Sequence, residues 1–220
     1  MKYLILILLF WLTVINLNGQ EELLSLLGDQ EQTEFTQYAF KTNRIINLHS
    51  IENTHRGVLD FKISHRFGFL NSGIDNFFGL DQSSIRLGLE YGLTDRLMVG
   101  LGRSSFRKTI DGFFKYKIAR QQTGQHTFPV SISVFHSTVI ETIDFEEQDR
   151  ENYFSSRLFY TWQVLIARKF SDRFSFQLSP GIVHRNLVQT IDEKNDILSL
   201  GLGSRFKISN RVSINAEYIL

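Results

Sequence analysis

The chain has no cysteine and only two prolines in 220 residues, and neither charge is in surplus: 24 Lys and Arg stand against 23 Asp and Glu. Without a thiol, disulfide scaffolds, thiolate nucleophiles, Cys-ligated zinc, iron–sulfur clusters and lipoprotein-type signals are all excluded. A formal charge of +1 gives no general attraction to nucleic acid. Beyond the first residues there is no long apolar run. With 42% hydrophobic residues the chain is too polar for a helical bundle in lipid, and with 13% aromatic residues it is too aromatic for disorder. Two classes remain: a soluble globular domain, and a β-barrel whose strands hide their hydrophobicity by alternation.

The single apolar run sits at the start. Lys2 precedes an apolar core over residues 3–15, and Asn16, Asn18 and the small Gly19 follow it. That core is shorter than the about 20 residues a membrane-spanning helix needs. Residues 1–19 therefore read as a cleaved signal peptide, which sends the protein out of the cytoplasm. Removing them takes away Lys2 and no acid, leaving 23 basic residues against 23 acidic ones. Residues 20–34 read as a short N-terminal leader in which Leu23, Leu24, Leu26 and Leu27 share a face until Gly28.

From residue 35 onward the hydrophobic period becomes two, the period of a strand. Over residues 58–67, Leu59, Phe61, Ile63 and Phe67 alternate with Asp60, Lys62, Ser64 and Arg66. Residues 84–91, 97–102, 114–118, 130–134, 157–166, 174–179, 198–206 and 212–218 repeat the pattern, and residues 35–48 form a weaker tenth segment. Connections alternate in length. Thr94-Asp95-Arg96, Ser171-Asp172-Arg173 and Ser209-Asn210-Arg211 are tight, and Asp or Asn suits such turns. Residues 68–83, 139–153 and 185–195 are longer. Short turns on one side and long loops on the other is the arrangement of a transmembrane barrel. A soluble sandwich alternates as well, but here the polar faces carry Arg, Lys and Glu in mid-strand, as the lining of a lumen does. Phe67, Tyr91, Phe114, Tyr160, Trp162, Phe170, Phe174, Phe206 and Tyr218 lie near strand ends, where lipid-facing aromatics form interfacial girdles.

The run 40–50 (FKTNRIINLHS), then GVLDFKISHRFG (57–68), LNSG (70–73), FFGLD (77–81), IRLGLEYGLTDRLMVGLGRSS (85–105) and DGFFKYK (111–117), closely resembles the Bacteroidota β-barrel family catalogued as domain of unknown function 5777. The likeness is dense from about residue 35 to 120 and looser beyond. It implies an outer-membrane barrel and carries no functional residue with it. Members of the family run on past the point where this chain stops, and Leu220 is not the terminal aromatic residue usual in such barrels, so either the sequence is truncated or the family's last strands are absent, and closure of the barrel stays open.

The expectation is thus an all-β, antiparallel transmembrane barrel over residues 35–220, with about ten strands visible and about twelve when complete, in the outer membrane of a Gram-negative bacterium. If the tight turns are periplasmic, segment 35–48 would begin outside the cell. Either it threads the lumen as a plug or the strand count is off by one.

Candidate chemistry is sparse. The histidines 49, 55, 65, 126, 136 and 184 make neither a His-x-x-x-His pair nor HExxH, so no metal site is expected. His65 and His136 fall on apolar faces, in a packing role. Gly100-Leu101-Gly102 and Gly201-Leu202-Gly203 lie inside strands and lead into no helix, so they relieve crowding rather than bind a dinucleotide. Gly-x-Ser-x-Gly is missing. No catalytic residue and no cofactor is expected. What remains is a set of lumen-facing charges: Lys62, Arg66, Arg86, Lys115, Lys117, Arg157 and Arg205 against Asp60, Glu90 and Glu217. They read as charges cancelling inside a plugged barrel, or as a basic path that favours small anions. The expected role is a narrow passive pore or a structural and assembly component, not an enzyme; a lipid-acting barrel enzyme and a soluble periplasmic ligand-binding sandwich are the alternatives. Expected partners are outer-membrane lipid and lipopolysaccharide, the barrel-assembly machinery during insertion, and no nucleic acid.

Overall fold

The structure is a computed structural model that describes residues 33–145, 151–188 and 190–220. The signal peptide and nearly all of the leader lie outside the described residues. Eleven strands occur in order: β1 (Glu34–Phe35), β2 (Leu59–Phe67), β3 (Ser83–Gly92), β4 (Leu97–Ser104), β5 (Thr109–Ala119), β6 (Gln122–Thr123), β7 (Ser131–Glu141), β8 (Leu158–Lys169), β9 (Phe174–Arg185), β10 (Asp196–Lys207) and β11 (Ser213–Ile219). Nine form one antiparallel sheet in the order β11-β10-β9-β8-β7-β5-β4-β3-β2, and β1 pairs with β6. Every neighbour in the large sheet is the next large strand along the chain, the up-and-down meander that short turns impose.

The alternation decides which face is which. Leu59, Phe61 and Ile63 are 60%, 62% and 64% exposed, while Glu90, Lys115, Ser133, Gln177 and Ser179 are fully buried. A soluble sandwich buries the apolar face. This sheet does the opposite, as a barrel in hydrocarbon does. Outward-facing Phe114, His136 and Trp162 line up across β5, β7 and β8, with His136 centred 5.4 Å from Phe114 and 3.9 Å from Trp162. His65 packs on Phe67 at 4.3 Å. Both histidines are therefore part of the aromatic exterior.

The three tight turns share one mechanism, and it is not the Asp or Asn that supplies it. Thr94 Oγ1 accepts hydrogen bonds from the amides of Arg96 (3.2 Å) and Leu97 (2.9 Å). Ser171 Oγ does the same for Arg173 (3.3 Å) and Phe174 (3.1 Å), and Ser209 Oγ for Arg211 (3.3 Å) and Val212 (3.1 Å). The hydroxyl before each acidic or amide residue closes the turn. All three turns lie at one end of the sheet. Residues 68–82, 142–145, 151–157, 186–188 and 190–195 lie at the other, joined there by the short β4–β5 link, while residues 120–130 connect β5 to β7 at the turn end.

The expected tenth strand over residues 35–48 does not form. Only Glu34–Phe35 is extended and paired, to Gln122–Thr123 at the turn end; bends follow. Residues 43–48 touch Lys62 of β2, Glu90 of β3 and Glu217 of β11. The sheet is thus curled until both of its edges face this segment, which lies inside it. The edges β2 and β11 are not paired with each other, and both run from the turn end to the loop end. Because residues 33–58 enter and leave at the turn end, the parity conflict disappears: the segment is a plug, and the first long strand is β2.

Leu87 on β3 is 48% exposed on the outer face. Leu87→Arg is expected to lower folding stability in lipid vesicles by about 2–4 kcal/mol, while Leu87→Val stays within about 1 kcal/mol. Urea unfolding monitored by tryptophan emission measures both; equal tolerance would mean the outer face is not in hydrocarbon.

Candidate functional site

The chemistry of this molecule is in its interior, where the plug meets the inward side chains. Residues 43–50 form a reversed turn, with an antiparallel bridge between Arg44 and His49 and a hydrogen bond from Ile45 N to Leu48 O of 2.9 Å. That turn aims three successive amides outward, the backbone arrangement that binds anions. The anion is Glu217 of β11. Its carboxylate accepts from the amides of Ile46 (3.2 Å), Asn47 (2.9 Å) and Leu48 (3.0 Å), and from Asn47 Nδ2 (2.8 Å).

The chain then descends along the lumen, its backbone groups taken by side chains instead of by a neighbouring strand. Gln177 of β9 accepts from Ile51 N and donates through Nε2 to His49 O, both at 2.8 Å. Lys115 of β5 donates to Ser50 O at 2.8 Å and also to Glu52 O. Glu52 in turn accepts from Ala39 N at 2.8 Å, and its other oxygen lies 3.7 Å from Lys117 Nζ. Thr54 donates to Asp60 of β2 at 3.0 Å, and Asn53 donates to Arg96 O at 2.9 Å. A buried amide without a partner costs about 1–3 kcal/mol, so this exchange of partners is what allows irregular backbone to lie inside a barrel at all.

The charged hub is Glu90 of β3. Its buried carboxylate takes Lys62 at 2.7 Å, Arg44 at 3.3 Å and the amide of Asn43. A second pair joins Arg86 Nε to Asp111 at 2.8 Å across β4. Apolar plug residues Phe40, Ile45 and Ile51 bury against Met98, Phe113, Phe135, Leu165 and Ala167 of the strands. His49 lies against Phe113 at 4.7 Å and Phe135 at 4.1 Å.

Glycines make the room. A side chain at Gly203 would strike Ile45, and at Gly201 it would come within 2.9 Å of Leu48. At Gly88 and Gly102 it would strike the Arg86 guanidinium, and at Gly92 the backbone of Thr54 and His55. The two Gly-x-Gly repeats are the inward halves of strands pared down to let the plug and an arginine lie flat against the wall.

The charged residues singled out from alternation separate into groups. Lys62, Glu90, Lys115 and Lys117 bind the plug or its partners, and Arg205 reaches Ala39 O at 3.4 Å. Arg86 is held by Asp111. Arg66 stands near the loop-end mouth with no hydrogen bond or ion pair among the described residues. Arg157 is not on a strand: it ends a 3-10 turn (Phe154–Arg157), bonds Glu141 O at 3.2 Å and Ile143 O, and covers Phe145. It belongs to the loops, not the lumen, because the 3-10 turn delays β8 to Leu158. The apparent basic surplus also shrinks. Asp111 and the plug's Glu52 were missing from that account, although Asp111 shares the inward parity of Phe113 and Lys115. Gln177 shares inward parity too, with Ser175 and Ser179; Arg44 and Glu52 had no such signal, since they lie on the plug, outside the alternating strands.

The plug divides the interior in two. A cavity of about 720 Å³ opens at the loop end above Arg44 and His49, and one of about 690 Å³ opens at the turn end below Asn43 and Glu52. Among the described residues no cluster of three His, Asp or Glu side chains could hold a metal ion.

Glu90→Gln is expected to cost about 3–5 kcal/mol, because Arg44 and Lys62 lose their shared carboxylate while staying inside. Gly203→Val should cost about 1–3 kcal/mol by overpacking against Ile45. Gly112→Ala, whose added carbon meets only the end of Leu101 at 3.3 Å, should be mild. Urea midpoints, with protease cleavage of residues 36–58 as a second readout, separate the three; cleavage rising in Gly112→Ala but not in the others would contradict the packing described.

A family model described as a membrane bound beta barrel domain, domain of unknown function 5777, matches residues 40–220. No curated protein and no solved structure matches the chain.

Proposed function

The chain belongs to this family of membrane-bound β-barrel domains, and from that premise we propose that it is an outer-membrane barrel kept closed by its own N-terminal segment, a non-enzymatic membrane component and not a standing pore. The observation that carries the reading is that Lys115, fully buried in mid-strand, spends its donors on the carbonyls of Ser50 and Glu52. An ammonium at that depth in an open channel would face water or passing anions; here it holds a backbone. Size favours closure too. Narrow barrels of about eight strands have interiors that side chains just fill, and the glycines on this wall give the room that the plug takes.

In this reading the outer face sits in outer-membrane lipid, with lipopolysaccharide around its loop end, and the barrel-assembly machinery inserts it. The tight turns and the plug entrance face the periplasm, and the long loops face outward. Small anions reach the two cavities but do not cross between them.

Two measurements test the proposal. In planar bilayers the native protein should give no steady conductance, whereas the Glu90→Gln/Glu217→Gln variant, with both plug-holding carboxylates neutralised, should give channel events; steady conductance of the native protein would refute closure. An epitope inserted at Asn76 should be labelled on intact cells and one at Asp172 should not. Labelling at Asp172 alone would invert the topology.

A further inference from the structure

The loop-end cavity has features that closure of the barrel does not require. Four inward hydroxyls line it, those of Ser64, Ser84, Ser137 and Thr161, and none of them makes a side-chain hydrogen bond among the described residues. Of the other charged side chains in the lining, three are already engaged. Arg44 is held by Glu90, and Arg86 and Asp111 hold each other. Arg66, opposite Ser84 in the β2–β3 ladder, is the one lining guanidinium left without a partner among the described residues. Below them Phe113 and Phe135, with ring centres 5.6 Å apart, form an aromatic floor against His49.

We propose that this cavity binds a hexuronic acid, a pyranose that carries one carboxylate. One free guanidinium matches one carboxylate, and its planar fork pairs with that group through two parallel hydrogen bonds. Free hydroxyls both donate and accept, as the ring hydroxyls of a sugar do, so they serve either orientation of each sugar hydroxyl. At about 720 Å³ the cavity lies within the range of small-molecule sites and has room for one or two sugar rings. A doubly charged sugar phosphate would need a second free cation, and among the described residues the lining offers Arg66 alone. The inference goes beyond the barrel reading and rests on the plug staying in place, because Arg44, Leu48 and His49 help to line the cavity.

The test is calorimetric titration of the full chain in detergent with D-glucuronate, D-glucose and acetate. Glucuronate should bind saturably, and glucose and acetate each at least tenfold more weakly, since each lacks one half of the recognition. Arg66→Gln should weaken glucuronate about tenfold and leave glucose unchanged, whereas Arg173→Gln at the turn end should alter neither. Retained heat-modifiable gel mobility of Arg66→Gln confirms that the variant is folded. Acetate binding as tightly as glucuronate would reduce the site to a simple anion contact, and silence towards glucuronate or indifference to Arg66→Gln would overturn it. A diuronate arm distinguishes sources: tighter binding than the monosaccharide marks a polysaccharide end as the ligand, and exclusion marks the free sugar acid.

Discussion

The buried carboxylate of Glu90 is the interaction on which the interior depends. It is fully enclosed, on a strand whose other face points to lipid, and a charge so placed costs several kcal/mol unless it is paired and hydrogen-bonded. The wall supplies one partner, Lys62. The others, Arg44 and Asn43, come from a segment more than forty residues earlier in the chain. Satisfying Glu90 therefore requires the plug to be inside, and placing the plug inside raises a second demand, because its own backbone must be satisfied. Lys115, Gln177 and Glu217 meet that demand from three other strands. The inward face is consequently polar in a specific sense: its side chains replace the strand neighbours that the plug does not have.

Volume follows from the same arrangement. A wall with ordinary side chains at every inward position would have no space for the plug, so several of the positions that meet it are glycine. Gly92, Gly201 and Gly203 lie against plug atoms, and Gly88 and Gly102 leave a trough for Arg86. Apolar contacts then fill what the glycines leave, with Ile45 and Ile51 seated among Met98, Phe135 and Leu165. The outer surface is set by the opposite requirement. It needs no pairing, only apolar side chains at every second position, and the aromatic row from Phe114 to Trp162 is that surface at its bulkiest.

The division of the interior gives the two ends different characters. At the turn end, short links closed by Thr94, Ser171 and Ser209 leave the plug's entrance as the main feature. At the loop end the plug tip is a floor, and the wall above it keeps hydroxyls and one arginine free. The proposed ligand site uses that unsatisfied polar mouth, whereas a conduit would need the polar path to continue through Arg44 and Glu90.

Much of this was legible in the sequence. Period-two alternation, tight turns and long loops determined the strands, their order and the face each side chain takes, because those depend on residues close together in the chain. Inward parity picked out Lys62, Glu90 and Lys115, and it could have picked out Asp111. Tertiary structure alone decided that residues 35–48 are plug and not strand. Their apolar residues, Phe40, Ile45 and Leu48, look like a weak strand because they too bury a face, but they bury it inside the barrel. Which cation meets Glu90, why glycines recur on one face, and which arginine is left free are all settled by contacts between residues far apart in the chain, and alternation carries no record of those.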